Sequence, residues 1–259
     1  MRLATWNVNS LNVRLEQVLA WLSNSPVGSR VDVLVLQETK LSDDMFPFQA
    51  FTRAGYELSF FGQKTYNGVA LVSRHPISSV IKNLPTFDDP MARVISAQVL
   101  GLRVIGAYFP NGQDPQSDKF VYKMKWLSAM HEWLTALSLQ DLPIALMGDF
   151  NITWDGADVW DPVGLKDTIH CTEEERAHLK RLMELGLFDA HRSLHPEGKL
   201  FSWWDYREGG WPRNKGLRID HILLSTGLKD RLVACEIDTE PRGHERPSDH
   251  APVWVDLKD

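Results

Sequence analysis

Asp149 and Asn151 stand in Gly148-Asp149-Phe150-Asn151, directly after the apolar run Pro143-Ile144-Ala145-Leu146-Met147. Such a run predicts a buried strand, and a carboxylate at its mouth is costly unless a cation or donors meet it. Alone, Asp149 reads equally well as a turn or cap residue. The pattern recurs, however. Asn7 closes a first strand, Glu38 follows a second, Asn111 follows a strand ending at Tyr108, Asp220 lies in another, and Ser248-Asp249-His250 precedes the last. Strand-end loops are where α/β proteins place their chemistry. Carboxylates and amides without a cysteine cluster suit a hard cation, Mg²⁺ or Mn²⁺. Glu38 is the foremost ligand candidate, and Asp249 reaches the ion directly or through water. Asp149 is typed to take a proton from a water that Asn151 holds. His250 supplies a donor or a cation near a phosphate, oriented by Asp220, which favours its charged form. A metal, a base and charge stabilisation together equip a site for phosphodiester hydrolysis.

The elements that must position these residues follow from periodicity. Strands are expected over 3–8 and 31–36, with a helix over 11–23 between them carrying Leu11, Leu15, Val18, Leu19 and Leu22. This start predicts an α/β arrangement. Short runs at 56–61, 68–73, 79–84, 94–100 and 103–108 read as an antiparallel meander. A long amphipathic helix is expected over 120–139. Residues 152–169 lack periodicity and form a long loop, a length often functional. Thr172 and Glu175 form a capping box for a helix running to about Leu185, stopped by Gly186. Further strands are expected at 201–206, 218–224, 232–237 and 252–257. The run 31–38 resembles 143–149, each an apolar strand after a helix ending on an acid. Two such halves predict a four-layered α/β sandwich: two packed mixed sheets flanked by helices, in one domain over 1–259.

Bulk properties agree with a globular chain. Hydrophobic residues make up 43% and charged residues 24% of 259, and no apolar run reaches membrane-span length. The start Met1-Arg2-Leu3-Ala4-Thr5-Trp6-Asn7 lacks a signal-peptide pattern, and two cysteines, Cys171 and Cys235, suggest neither a disulfide framework nor a zinc cluster. A reducing cytoplasm and a monomer are the expectations. The net charge of −6 runs against a uniformly basic nucleic-acid binder. A carboxylate-rich metal site also raises the acidic count, and a bound ion would offset it.

An ordered set of segments carries a resemblance. Trp6-Asn7-Val8-Asn9, Leu36-Gln37-Glu38-Thr39-Lys40, Gly68-Val69-Ala70-Leu71-Val72-Ser73-Arg74, Tyr108-Phe109-Pro110-Asn111-Gly112, Gly148-Asp149-Phe150-Asn151, Arg218-Ile219-Asp220 and Ser248-Asp249-His250-Ala251-Pro252 appear in turn. Over its whole length the chain closely resembles the exonuclease III family of abasic-site endonucleases. The wider superfamily also holds sphingomyelinases and inositol phosphatases; Tyr108-Phe109-Pro110-Asn111-Gly112 and Phe201-Ser202-Trp203-Trp204-Asp205-Tyr206-Arg207 point to the DNA-repair branch. The resemblance implies a metal set drawn from Asn7, Glu38, Asp149, Asn151, Asp249 and His250. It makes Asp149 either the general base or the group that protonates the leaving oxygen. Asn151 positions water, Tyr108 contacts the phosphate or assists the leaving 3′ oxygen, and Asn111 holds the scissile phosphate. His250, oriented by Asp220, stabilises the pentavalent charge.

The resemblance also implies that Trp203 and Leu217 wall an apolar pocket that admits a sugar without its base. Extruding a nucleotide costs a few kcal/mol, and least where pairing is already lost. Family members often push a side chain into the duplex after Asn-Gly; here Gln113-Asp114 follows, leaving Gln113 for that task. Alternation makes Trp204 and Tyr206 share a face. Lys40, Arg74, Arg213, Lys215 and Arg218 are candidate phosphate contacts, each also readable as solvated surface. Small Gly164, if its loop borders the site, leaves room for continuous duplex and favours internal cleavage. A bulkier residue there favours strand ends.

The expected activity is divalent-metal-dependent hydrolysis of double-stranded DNA 5′ to abasic sites, leaving a 3′-hydroxyl, with trimming of blocked 3′ ends and 3′-5′ degradation at the same centre. An enzyme working mainly on 3′ ends is the alternative. A lipid or inositol phosphatase lacks a basic amphipathic helix in its favour. A non-catalytic DNA-binding module conflicts with the presence of Glu38, Asp149, Asn151, Asp220, Asp249 and His250.

Overall fold

The computed structural model describes residues 1–138 and 142–258. Two six-stranded mixed sheets pack face to face. The first holds β1 (Arg2–Asn7), β2 (Val33–Gln37), β3 (Glu57–Phe61), β4 (Val69–Ser73), β13 (Leu232–Ile237) and β14 (Val253–Leu257), in the order β13-β14-β1-β2-β4-β3. The second holds β5 (Ser78–Lys82), β6 (Val94–Val99), β7 (Leu102–Tyr108), β8 (Ile144–Asp149), β9 (Leu187–Asp189) and β12 (Asp220–Ser225), in the order β5-β6-β7-β8-β12-β9. A small ribbon, β10 (Trp203–Trp204) with β11 (Gly216–Leu217), stands apart. The helices are α1 (Leu11–Asn24), α2 (Phe48–Arg53), α3 (Asp118–Ser138), α4 (Glu173–Glu184) and α5 (Ala190–Leu194).

Side-chain alternation builds the layers. Val33 and Val35 of β2 meet Ala145 and Met147 of β8 in the core between the sheets. Leu34 and Leu36 face outward to Val18, Trp21 and Leu22 of α1. Leu146 of β8 faces the other way, to Trp126, Met130 and Leu134 of α3 and Leu179 of α4. The central strands are buried on both sides, which explains their unbroken apolar runs. A Cβ on Gly106 would lie 2.9 Å from Val35 Cβ, so the sheets approach closely there.

The halves repeat, as the similarity between 31–38 and 143–149 predicts. β1 and β2 are parallel neighbours joined through α1; β7 and β8 are parallel neighbours joined through α3. In each half the next strand, β4 or β12, is antiparallel. The ends of β1, β2, β7 and β8 and the starts of β4, β12 and β14 consequently gather at one rim.

Several expectations need correction. The runs from 56 to 108 are not one meander: β3 and β4 join the first sheet, while β5, β6 and β7 join the second. Local pairing is antiparallel in both, but inward apolar faces exist on two sheets, and the chain changes sheet between them. The strand expected over 201–206 shrinks to Trp203–Trp204, and the one expected over 218–224 begins at Asp220. The long helix begins at Asp118, and its expected last residue, Leu139, lies outside the described residues. The capping box at Thr172 forms as expected. Short α2, β9 and α5 have too few residues for a visible period. Among the described residues, no helix is long and apolar enough to cross a membrane.

Candidate active site

Every candidate on the rim comes from a chain leaving or entering a sheet. Gly148 lets β8 run close against β7, since a Cβ there would lie 1.8 Å from the Ala107 carbonyl oxygen. Beyond the strands the backbone turns sharply. Asn9, Glu38, Lys40 and Asn151 all have positive φ, at 44°, 50°, 56° and 50°. Non-glycine residues pay for that conformation, and such strain collects at functional sites.

Asn7, fully buried, joins the two halves. Its Nδ2 donates to Glu38 Oε1 at 3.0 Å and to Asp149 Oδ2 at 2.9 Å. Asp149 Oδ1 accepts the Asn151 backbone N–H at 2.9 Å. Asp220 pairs with Asp149 across the strands and binds His250 Nδ1 at 2.8 Å, while Ser202 Oγ donates to Asp220 at 2.6 Å. The other ring nitrogen of His250 lies 3.6 Å from Asp149 Oδ2. Asp149, Asp220 and His250 thus form one buried cluster.

Burial pushes the Asp149 carboxyl up; the His250 cation pulls it back and Asp220 pushes it up again, leaving it at about 7. Burial alone would lower His250, but the Asp220 and Asp149 carboxylates outweigh it and raise the imidazole to about 10. Burial, then the charges of Glu38 and Asp149, push the Tyr108 phenol well above its ordinary value, so it stays protonated.

Asn151 Nδ2 donates to the Phe109 carbonyl at 3.0 Å, and its Oδ1 accepts Asn111 Nδ2 at 3.1 Å. Asp249 accepts Asn9 Nδ2 at 2.9 Å and Trp203 Nε1 at 3.0 Å. Lys40 lies 3.0 Å from Glu38 Oε2 and 2.5 Å from Asn9 Oδ1, so it joins the Glu38–Asn9 cluster. Hard oxygen donors and a carboxylate that already attracts an ammonium fit a divalent cation beside Glu38.

Trp203 and Leu217 are cross-strand partners in the ribbon, and Trp203 bridges to His250. They wall a pocket of about 630 Å³ with Leu165, Ile169 and His170, and Gln113 stands at its exposed edge. The 152–169 loop therefore borders the site, but Gly164 is exposed against Asp161 and does not line the pocket. Trp204 and Tyr206 do not share a face. Trp204 is buried against Trp211, whereas Tyr206 is half exposed and donates to the Pro247 carbonyl.

Of the basic candidates, Lys215 reaches the pocket, over the Trp160 ring. Arg213 is exposed. Arg218 is buried and held by Asp158 and Asp189, which fixes the approach to β12. Arg74 follows β4 at the opposite end of the sheet and binds the Ser29 carbonyl, since β4 runs antiparallel to β2.

Sequence reading missed Asn9, His170 and Lys123. Asn9 gave a signal, lying two residues beyond Asn7. Burial and the Lys123 charge lower His170 to about 4; its Nδ1 donates to the Asn151 carbonyl at 2.7 Å, leaving Nε2 as an acceptor. Lys123 was visible as a cation on the apolar stripe of α3, between Phe120 and Leu127.

Known proteins match this geometry. The model of the endonuclease/exonuclease/phosphatase family matches residues 4–250. Exodeoxyribonuclease III of Haemophilus influenzae is 36% identical, with all of both chains covered. A 3′-5′ exonuclease from Neisseria meningitidis is 46% identical with a TM-score of 0.97, again covering all of both chains. An AP endonuclease from Archaeoglobus fulgidus is 35% identical with a TM-score of 0.95 over the full length of each. The chain belongs to the endonuclease/exonuclease/phosphatase family, within its exodeoxyribonuclease III group of nucleases.

Proposed function

We propose that the chain is a Mg²⁺- or Mn²⁺-dependent nuclease of base-excision repair that cuts double-stranded DNA 5′ to abasic sites and leaves a 3′-hydroxyl. The observation that carries this reading is a pocket with an apolar wall of Trp203, Leu217, Leu165 and Ile169 inside a polar rim, with Trp203 bridged to His250 of the buried acid–imidazole cluster. A baseless sugar fits against such walls without the cost of burying a base's polar edge.

Glu38 and Asp249 would hold the ion, with Asn7 and Asn9 orienting their carboxylates. When bound, the ion polarises a phosphoryl oxygen and offsets the charge of the transition state. Asn111 and Asn151 hold the phosphate and the attacking water. The water oxygen adds to phosphorus as Asp149 takes its proton. The bond from phosphorus to the 3′ oxygen breaks, and Tyr108 donates the proton that oxygen needs. His250, kept cationic by Asp220, stabilises the charge on the phosphorane oxygens. A protonated imidazole has no lone pair to give a metal, so His250 would act on phosphate rather than as a ligand, and the second lone pair of Asn151 Oδ1 remains for the water.

A second reading, action mainly on blocked or recessed 3′ ends, has its own support. In place of Gly164 the loop presents Trp160, Leu165 and Ile169 to the pocket, with His170 just after it, and bulk there favours a strand end over continuous duplex. The Neisseria 3′-5′ exonuclease is also the more identical of the two solved structures, at 46% against 35%. One labelled duplex with a central abasic-site analogue, beside one with a recessed, blocked 3′ end, tests both readings with and without Mg²⁺. Metal-dependent internal cleavage, lost in Asp149→Ala, is the expected result. Cleavage confined to the blocked end would replace the first reading by the second, and inactivity on both would overturn each.

A further inference from the structure

We propose that Lys123 is a positioning residue whose ammonium sets the geometry of Asn111 and Asn151 from beneath, tying both loops to the start of α4. The inference rests on the functional reading above, since it assigns those asparagines to phosphate and water.

Lys123 is completely buried in α3, where an apolar residue would continue the stripe of Phe120, Leu127 and Met130. Burying an ammonium is costly, so its partners reveal its task. An ammonium has three N–H donors, and each is used. They reach the Asn151 carbonyl at 2.7 Å, the Asn111 carbonyl at 3.1 Å and Glu175 Oε1 at 2.5 Å. A tether between α3 and α4 alone would need only the last of these.

The other two bonds go to the main chain of residues near the start of the two site loops, after β7 and after β8. The same pair meets above through its side chains, Asn111 Nδ2 to Asn151 Oδ1 at 3.1 Å. Lys123 thus holds from below two residues that touch each other from above. Glu175 completes the clamp: Oε2 accepts the Thr172 backbone N–H of the capping box at 3.1 Å, and Oε1 accepts the His170 backbone N–H at 3.1 Å. The start of α4, the pocket residue His170 and the two asparagines are therefore referenced to one buried charge. An asparagine displaced by 1 Å from its working position can cost about 10²-fold in rate.

A purely structural ion pair predicts something different, and paired variants separate the two. Lys123→Met leaves Glu175 as an uncompensated buried charge and should lower the thermal midpoint. Lys123→Met/Glu175→Gln removes both charges while the Gln oxygen keeps the Thr172 cap and its amide gives up the His170 bond, so the midpoint should recover toward wild type, and Glu175→Gln alone measures what the lost His170 bond contributes. On the abasic duplex with saturating Mg²⁺, kcat of the double variant should stay down about 10²-fold with KM changed far less. Hydrogen exchange should also quicken at 109–112 and 149–152 in the double variant, and this readout stands even if the wild type cleaves none of the substrates offered. Recovery of both kcat and exchange protection along with stability would reduce Lys123 to a structural tether and overturn the proposal. With an inactive wild type, unchanged exchange alone would do so.

Discussion

The two halves of the molecule carry the same topology and an acid at the same place, yet give those acids opposite characters. Glu38 lies one residue beyond β2, at positive φ, where the turn lifts its side chain to 18% exposure beside Lys40. Asp149 is the last residue of β8, still in register with Tyr108 on one side and Asp220 on the other, and its side chain is 2% exposed. One residue of register separates a solvated carboxylate open to a cation from a buried one that titrates near neutrality. Asn7 donates to both, so the pair stays connected while its members differ. On the proposed mechanism, environment rather than residue type would divide the labour between ion binding and proton transfer.

The largest effect should come from the buried member. Asp149→Asn keeps the shape but loses the proton acceptor, and turnover should fall roughly 10²–10⁴-fold. Titrating divalent ion into that variant should restore nothing. Glu38→Gln should instead weaken the apparent affinity for the ion by roughly 10–100-fold, with turnover recovering at excess ion. Metal titrations of the two variants check the division. Rescue of the Asp149 variant together with failure to rescue the Glu38 variant would reverse it.

A pH series sharpens the contrast. Activity should rise as pH passes about 7, where Asp149 loses its proton, and fall as pH passes about 10, where His250 loses its own. Because His250 is raised from 6.5 to about 10, its pairing contributes stability that is complete below 6.5 and is lost as pH rises through 10. Asp220→Asn removes the principal carboxylate holding that proton, so the alkaline limb should move downward and the loss of stability should begin at lower pH. An alkaline limb that stays in place would separate His250 from Asp220.

The smallest effect concerns the loop at the edge of the second half. Gly164→Trp should leave the ratio of internal to 3′-end cleavage nearly unchanged, since residue 164 faces Asp161. Leu165→Ala opens a pocket wall and should raise the internal share. A change with Gly164→Trp but not with Leu165→Ala would return the deciding position to Gly164.

Periodicity and residue type made much of this legible. The double-sided apolar runs at 31–36 and 143–147, the capping box at Thr172 and the acids at strand ends are local features with local physical causes, and each reappears in the fold. Arg74 is an exposed cation, as its surface reading allows, whereas Arg218 is buried, because charge alone does not report burial. Arg218 lies inside an ion-pair network with Asp158, 60 residues away, and Arg74 lies at the far end of β4. Trp203 and Trp204 are chemically identical neighbours, and only the pairing of a two-residue ribbon turned one to the pocket and the other to the core.

The sequence by itself therefore determined the longer secondary elements, the sandwich of two sheets implied by their apolar faces, and the hard-oxygen chemistry at their ends. Those properties depend on neighbours a few residues apart, which periodicity records. The tertiary structure alone decided which acid is buried, which aromatic meets the site, and that the Lys123 ammonium reaches the carbonyls of Asn111 and Asn151. Each of these depends on groups brought together from distant parts of the chain. Desolvation and Coulomb interaction there act through space and leave no trace in local spacing.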